Sequence, residues 1–184
     1  MTPGPGHRQG AALASGHGPG QGGAVPPDEA QEVSPMSTVT QSIDVAVPVR
    51  TAYDQWTQFE EFPRFMEGVE EIRQLDATHT HWRTKIGGVE REFDATITEQ
   101  HPDERVAWNS TSGPDHAGVV TFHKLADAET RVTVQLDWSP EGVVEKAGDA
   151  LQLDERRVKG DLGRFKEYIE SRGVETGAWR GDVS

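Results

Sequence analysis

An α+β fold, a curved antiparallel sheet closed by one long C-terminal helix, is what this sequence predicts, and three observations carry it. Between Ser139 and Arg172, the residues Val144, Ala147, Leu151, Val158, Leu162, Phe165 and Ile169 recur at helical spacing, one apolar stripe of an amphipathic helix. Between Val69 and Trp138, successive segments alternate apolar and polar residues and are separated by short turns, the mark of an antiparallel meander. Ahead of the meander stand one more alternating segment and a short helix. Helices at both ends of an antiparallel sheet make an α+β pattern, in which the long helix needs the sheet to bury its stripe.

The composition narrows the class. At 184 residues the chain holds one domain with some length left over. Hydrophobic residues make up only 34%, low for a fully packed chain. The formal charge of −13 opposes a phosphate backbone and argues against nucleic acid as a partner. No apolar run is long enough to span a membrane. The N-terminus lacks the apolar core of a secretory signal, so the expected location is the cytoplasm. Without cysteine there are no disulfides, thiolate metal sites or cysteine nucleophiles.

Residues 1–37 are rich in glycine and proline with no apolar period, and are expected to be a disordered tail. The abrupt change at Met36 leaves open a second reading, that translation starts there. Ile43, Val45 and Val47 then alternate as a half-buried strand. Pro48 opens a short helix with Val49, Ala52, Tyr53 and Trp56 on one side. Phe59, Phe62 and Phe65 crowd around Pro63, too dense an aromatic group to stay exposed.

The strands follow. Val69–Asp76 comes first, then His79–Gly87 with Trp82, Thr84 and Ile86 in one phase, then the hairpin pair Gly87-Gly88. In Val89–Gln100, the residues Val89, Arg91, Phe93, Ala95 and Ile97 share a phase. His101-Pro102-Asp103 turns the chain into Arg105–Ser110, which carries Val106 and Trp108. Ser112-Gly113-Pro114-Asp115 turns it again into Ala117–Leu125. Arg131–Trp138 ends the meander with Val132, Val134, Leu136 and Trp138 on one face. Ser139 and Pro140 suit the start of the last helix, and Gly173 suits its left-handed cap. A helix over that length would run roughly 45 Å. Residues 173–184 are expected to fold back so that Trp179 covers apolar surface.

This order of elements resembles the helix-grip fold of the START/Bet v 1-like (SRPBCC) superfamily. The segments from Val45 to Trp56, Phe59 to Val69, Asp161 to Glu170 and Gly177 to Gly181 are similar to its bacterial polyketide cyclase/dehydrase and coenzyme Q-binding-like branch. The similarity covers about residues 38–181, with the domain proper at 38–172. It implies a hydrophobic cavity between sheet and long helix, open at one end. Aromatase/cyclase relatives carry a serine and an arginine two residues apart, which align with Ala95 and Ile97, and a tyrosine that falls near Val69. Those three side chains are not retained here.

On that resemblance, the expected ligand wall is Trp56, Phe59, Phe62, Phe65, Trp82, Phe93, Trp108 and Phe122 from sheet and short helices. Leu151, Val158, Leu162 and Phe165 would face them from the long helix. Each of these rings equally suits an ordinary filled core. Arg91 either binds a carboxylate or enolate oxygen or reaches out to water. Asp154 fills a gap in the helical stripe, either as a polar group in the cavity roof, paired with Arg91, or as a rim acid paired with Arg157 or Lys159. Arg91, Asp154 and Tyr53 are the candidate catalytic groups. His79 and His81 share a strand face, a spacing open to a metal, but Arg83 and Lys85 continue that face as a solvated basic edge, and neither a metal nor a cofactor is expected. Gly160 and Gly163 cost the helix stability, and either admit a close neighbour or leave room for a ligand. Arg180-Gly181-Asp182 matches an adhesion tripeptide by chance.

Three functions remain. The first is a binding protein for a hydrophobic or aromatic small molecule such as a polyketide, quinone or lipid. The second is a polyketide cyclase/dehydrase, and the third is an accessory protein with a vestigial cavity.

Overall fold

The computed structural model describes residues 37–113, 115–138 and 147–184, the side chains of 147–153 excepted. The glycine-rich segment with Met36, the turn at Pro114, the Ser139-Pro140 helix start, and the side chains of Val144, Ala147 and Leu151 lie outside the described residues.

Seven strands form one antiparallel sheet: β1 (Ser37–Val45), β2 (Val69–Gln74), β3 (His79–Ile86), β4 (Val89–His101), β5 (Arg105–Ser110), β6 (His116–Ala126) and β7 (Glu129–Trp138). Their order is β1-β7-β6-β5-β4-β3-β2, so the meander runs unbroken from β2 to β7 and the first strand adds beside the last. β1 starts at Ser37, inside the stretch assigned to the tail, because Ser37 and Thr38 pair with Trp138 and Asp137. The hairpin at Gly87-Gly88 has two residues with φ of 59° and 82°, a conformation open to glycine, and it sets Ile86 opposite Val89. Bulges between Val69 and Glu71, Ile97 and Glu99, and Lys124 and Ala126 bend the sheet into a half-barrel.

Helix α1 (Val49–Trp56) and a 3-10 turn (Phe59–Arg64) fill the crossing from β1 to β2. Helix α2 (Ala147–Arg172) lies along β1 on the concave side, its length about 39 Å at 1.5 Å per residue. The apolar stripe of α2 turns inward: Val158, Leu162, Phe165 and Ile169 are all buried. Gly173, at φ 70°, takes the left-handed cap, and its N–H reaches the carbonyl of Ile169.

The core has two parts. Around Trp56, rings interlock edge to face: Phe62 at 5.4 Å, Phe122 at 6.3 Å and Phe165 at 5.0 Å between centroids. Beyond them, Trp82 of β3 packs against Phe93 of β4 and Trp108 of β5, its ring parallel to both within 16°. Trp108 needs Gly118 as its neighbour on β6, since a Cβ there would lie 2.2 Å from the indole.

Residues 173–184 cross α1. Gln55 and Thr176 exchange two hydrogen bonds, Nε2 to Oγ1 at 3.0 Å and the Thr176 N–H to Oε1 at 2.9 Å. The Trp179 N–H donates to Thr57 Oγ1. Arg180 forks between Asp54 (2.7 Å) and Asp103 (2.8 Å), and Val183 pairs with Gln100 at the end of β4. Three buried polar residues, Asp54 and Gln55 of α1 and Thr57 just after it, are thereby supplied with partners more than 120 residues away.

Candidate functional site

A cavity of about 370 Å³ lies between the sheet and the stretch of α2 from Asp154 to Leu162. The sequence-predicted residues Trp56, Phe62, Trp82, Phe93, Trp108, Val158 and Leu162 all line it, and Arg91 stands exposed on its lining, at the mouth. Strand alternation accounts for this: Trp82, Phe93 and Trp108 sit at cross-strand positions of one inward phase, while Arg91 is two residues nearer the hairpin, where the sheet leaves the core. Val89, one step further in that phase, is exposed.

Other predicted residues stand elsewhere. Phe59, Phe65, Phe122 and Phe165 are buried in the interlocked cluster and do not line the cavity. They are held there by each other, with Phe65 against Phe165 at 5.2 Å and Phe59 against Phe62 at 5.4 Å. Tyr53 is also in that closed part, its ring edge-on to Phe122 at 5.5 Å, and burial raises the pKa of its hydroxyl. It does not line the cavity. The His79 and His81 side chains each bond to a separate carboxylate, Asp76 and Asp94, so the strand spacing does not bring them to one point. Neither Gly160 nor Gly163 admits another element. A Cβ at Gly160 would meet only the tip of Arg164 and one at Gly163 nothing within 4 Å. Arg180 and Asp182 of the tripeptide are engaged within the fold, by Asp54, Asp103 and His101.

The polar groups of the cavity come from α2 and from β6. Asp154 lines it half-buried and accepts a hydrogen bond from Arg157 Nη1 at 3.2 Å. Burial raises its carboxyl pKa against the pull of Arg157. One turn on from Arg157, Asp161 accepts the Glu67 N–H at 2.8 Å and a hydrogen bond from Arg164 Nη2. Burial still pushes its carboxyl up to about 6, past the opposing effect of that N–H and of Arg164 and Arg157. Arg164 Nε donates in turn to the Phe65 carbonyl at 2.9 Å, so α2 holds the Phe65–Val69 stretch that forms the rim. On the facing wall, His116 stacks against Trp108 at 6.4 Å and Phe93 at 5.8 Å. Burial lowers its pKa and keeps the imidazole neutral, with the carboxylate of Asp137 a weaker opposing influence.

His116, Asp161, Met66, Val134, Leu136 and Trp138 line the cavity without having been singled out for it. A signal existed for Asp161: it falls at the helical step between Val158 and Phe165, seven residues after Asp154. Val134, Leu136 and Trp138 share the inward phase already read on β7.

A half-barrel sheet gripping one long helix around an internal cavity defines a helix-grip protein. The chain belongs to the polyketide cyclase/dehydrase and lipid transport family, whose model matches residues 45–167. It is 60% identical over 149 residues, 80% of its own length and 99% of the relative's, to an uncharacterised 17.2 kDa protein of Streptomyces lincolnensis. Among solved structures, the Zhui aromatase/cyclase of a Streptomyces species superposes with a TM-score of 0.63 at 13% identity, over 78% of this chain and 99% of that one. A START superfamily protein from Mycobacterium smegmatis superposes with a TM-score of 0.58 at 14% identity, over 73% and 95% of the two chains. At those identities the two structures speak for the fold alone. Ala95 and Ile97 are both buried and apolar. No helix among the described residues is long and apolar enough to cross a membrane.

Proposed function

We propose that the chain binds a flat, hydrophobic aromatic small molecule, of the polyketide or quinone kind, between the sheet and α2. The observation that carries this reading is the group of near-parallel rings, Phe93, Trp82 and Trp108, on the wall of the 370 Å³ cavity. That volume lies at the lower end of the ~300–1,000 Å³ of small-molecule sites, which suits a few fused rings better than a long acyl chain. Near-parallel rings give a flat guest an apolar wall to lie against, and each Å² of apolar surface so buried contributes ~25 cal/mol.

Titration of tryptophan fluorescence with an anthraquinone tests the reading, together with native mass spectrometry of the purified chain and extraction of what it carries. Saturable quenching is expected, weakened about tenfold or more by Trp82→Ala. Absence of both quenching and a carried molecule would favour an accessory role with a vestigial cavity.

A second reading, a cyclase/dehydrase, is supported by the pairing of a neutral imidazole at His116 with a carboxyl near 6 at Asp161 on opposite walls. Groups so tuned suit proton transfer near neutral pH. Product formation from a poly-β-ketone, lost in His116→Ala and Asp161→Asn while the anthraquinone still binds, would establish it.

A further inference from the structure

We infer that the cavity takes a neutral or cationic aromatic molecule and rejects one that carries a carboxylate or phosphate. The inference rests on the reading of the cavity as an aromatic-binding site and deepens it. Among the described residues, four carboxylates line the cavity, Glu67, Asp115, Asp154 and Asp161, against two guanidinium groups, Arg91 and Arg157. Arg164 stands behind them and serves both Asp161 and Glu67, the latter at 3.5 Å. The group as a whole keeps a negative balance even with Arg164 included. Among the described residues, the remaining titratable side chain of the lining is His116, whose neutral form burial favours.

An incoming carboxylate would shed its hydration to enter an apolar space and then face like charges across it, and both steps are unfavourable. An ammonium group meets the opposite situation. Besides the carboxylates it finds the rings of Trp56, Trp82, Trp108 and Trp138 on the lining. The indole face is the most electron-rich among the aromatic side chains and attracts cations most strongly. The overall charge of −13 acts in the same direction at longer range. A free, diffusing aromatic amine or neutral polycycle is thus the chemical class that fits, and a substrate tethered through a phosphate is a poor guest.

Isothermal titration calorimetry of the full chain with three probes of matched shape, methylnaphthalene, naphthylmethylammonium and naphthoate, tests this at neutral pH. The expected order of affinity is cation, neutral, anion, with the anion about tenfold or more weaker than the cation. Asp154→Asn should narrow the gap between cation and anion. Glu67→Gln, at a rim position that is 74% exposed, serves the same purpose without touching the core. An anion that binds as tightly as the cation, while methylnaphthalene also binds, overturns the charge inference and leaves the aromatic site standing. If none of the three binds, the aromatic site itself is lost and this inference with it.

Discussion

One helix, α2, passes through two different interiors. Along its C-terminal half the space is filled. Phe165 and Ile169 have no exposed surface, Lys166 donates to the Asp44 carbonyl at 2.6 Å, and Glu170 accepts the Ala46 N–H at 2.6 Å. Ahead of Gly163, Val158 and Leu162 are just as apolar, yet they border open space together with Asp154, Arg157 and Asp161. Ring geometry explains the difference. Below, Phe62, Phe122 and Phe165 meet Trp56 at interplanar angles between 63° and 75°. Rings crossed in this way interlock in three dimensions and fill a volume. Above, Trp82 is within 16° of parallel to both its neighbours. Near-parallel rings line one wall without crossing the space in front of it, and that space borders the cavity.

A matched pair of truncations probes this contrast most strongly. Ile169→Ala and Leu162→Ala remove the same number of carbons from buried positions on the two halves. Ile169→Ala should lower the free energy of unfolding by about 4 kcal/mol, because the filled side cannot close the hole. Leu162→Ala should cost about 2 kcal/mol, since part of its surroundings is already empty. Urea denaturation reads both, and equal losses would erase the distinction between the halves.

The next largest effect lies in the C-terminal segment. Asp54 is fully buried and receives Arg180 at 2.7 Å, while the same guanidinium holds Asp103 at φ 66° in the β4–β5 turn. Arg180→Ala leaves the buried carboxylate of Asp54 with only the longer contact to Arg50, at 3.4 Å, and should cost about 3 kcal/mol. Adding Asp54→Asn should restore part of that loss. If Arg180→Ala is neutral, the segment is not a structural part of the closed half.

A smaller effect separates the halves by pH. Asp161 has its pKa raised from 3.8 to about 6, so the native state holds this proton more tightly than the unfolded chain does. Its contribution to stability is therefore greatest below pH ~4 and is lost as pH rises through ~6. Asp161→Asn should flatten that part of the stability profile. Chemical denaturation at several pH values measures it, and an unchanged slope would mean that the carboxyl is not buried as described.

The sequence disclosed the fold more fully than the site, for a physical reason. Period-two alternation fixed the inward face of β3, β4 and β7, and the stripe from Val158 to Ile169 fixed that of α2. Both are local properties of the chain. Whether an inward residue meets a neighbour or a void depends on what the opposite wall supplies. Phe65 and Phe165 look no different in sequence from Phe62 and Phe93, yet the first two complete the interlocked cluster and the last two border the cavity. Asp54, Gln55 and Thr57 gave no signal, because their burial depends on partners more than 100 residues away, at Thr176, Trp179 and Arg180. His116 stands at the first position of β6, one residue before the predicted strand, and so received no phase.

The smallest effect concerns α2 itself, where the boundary between the halves runs. Gly163 follows Leu162 in mid-helix, and a Cβ added there would meet nothing within 4 Å. Packing therefore gives no reason for glycine at this position. Alanine should favour the helix by up to ~1 kcal/mol, through a less flexible unfolded chain and better helix propensity. Thermal unfolding of Gly163→Ala measures the gain. If the helix is only a rigid roof, the added stability should leave anthraquinone binding unchanged. If α2 bends at this glycine to admit a guest, the same substitution should stabilise the protein and slow ligand uptake. Stopped-flow quenching separates the two outcomes, and thus tells whether the open half is open at rest or opened by its ligand.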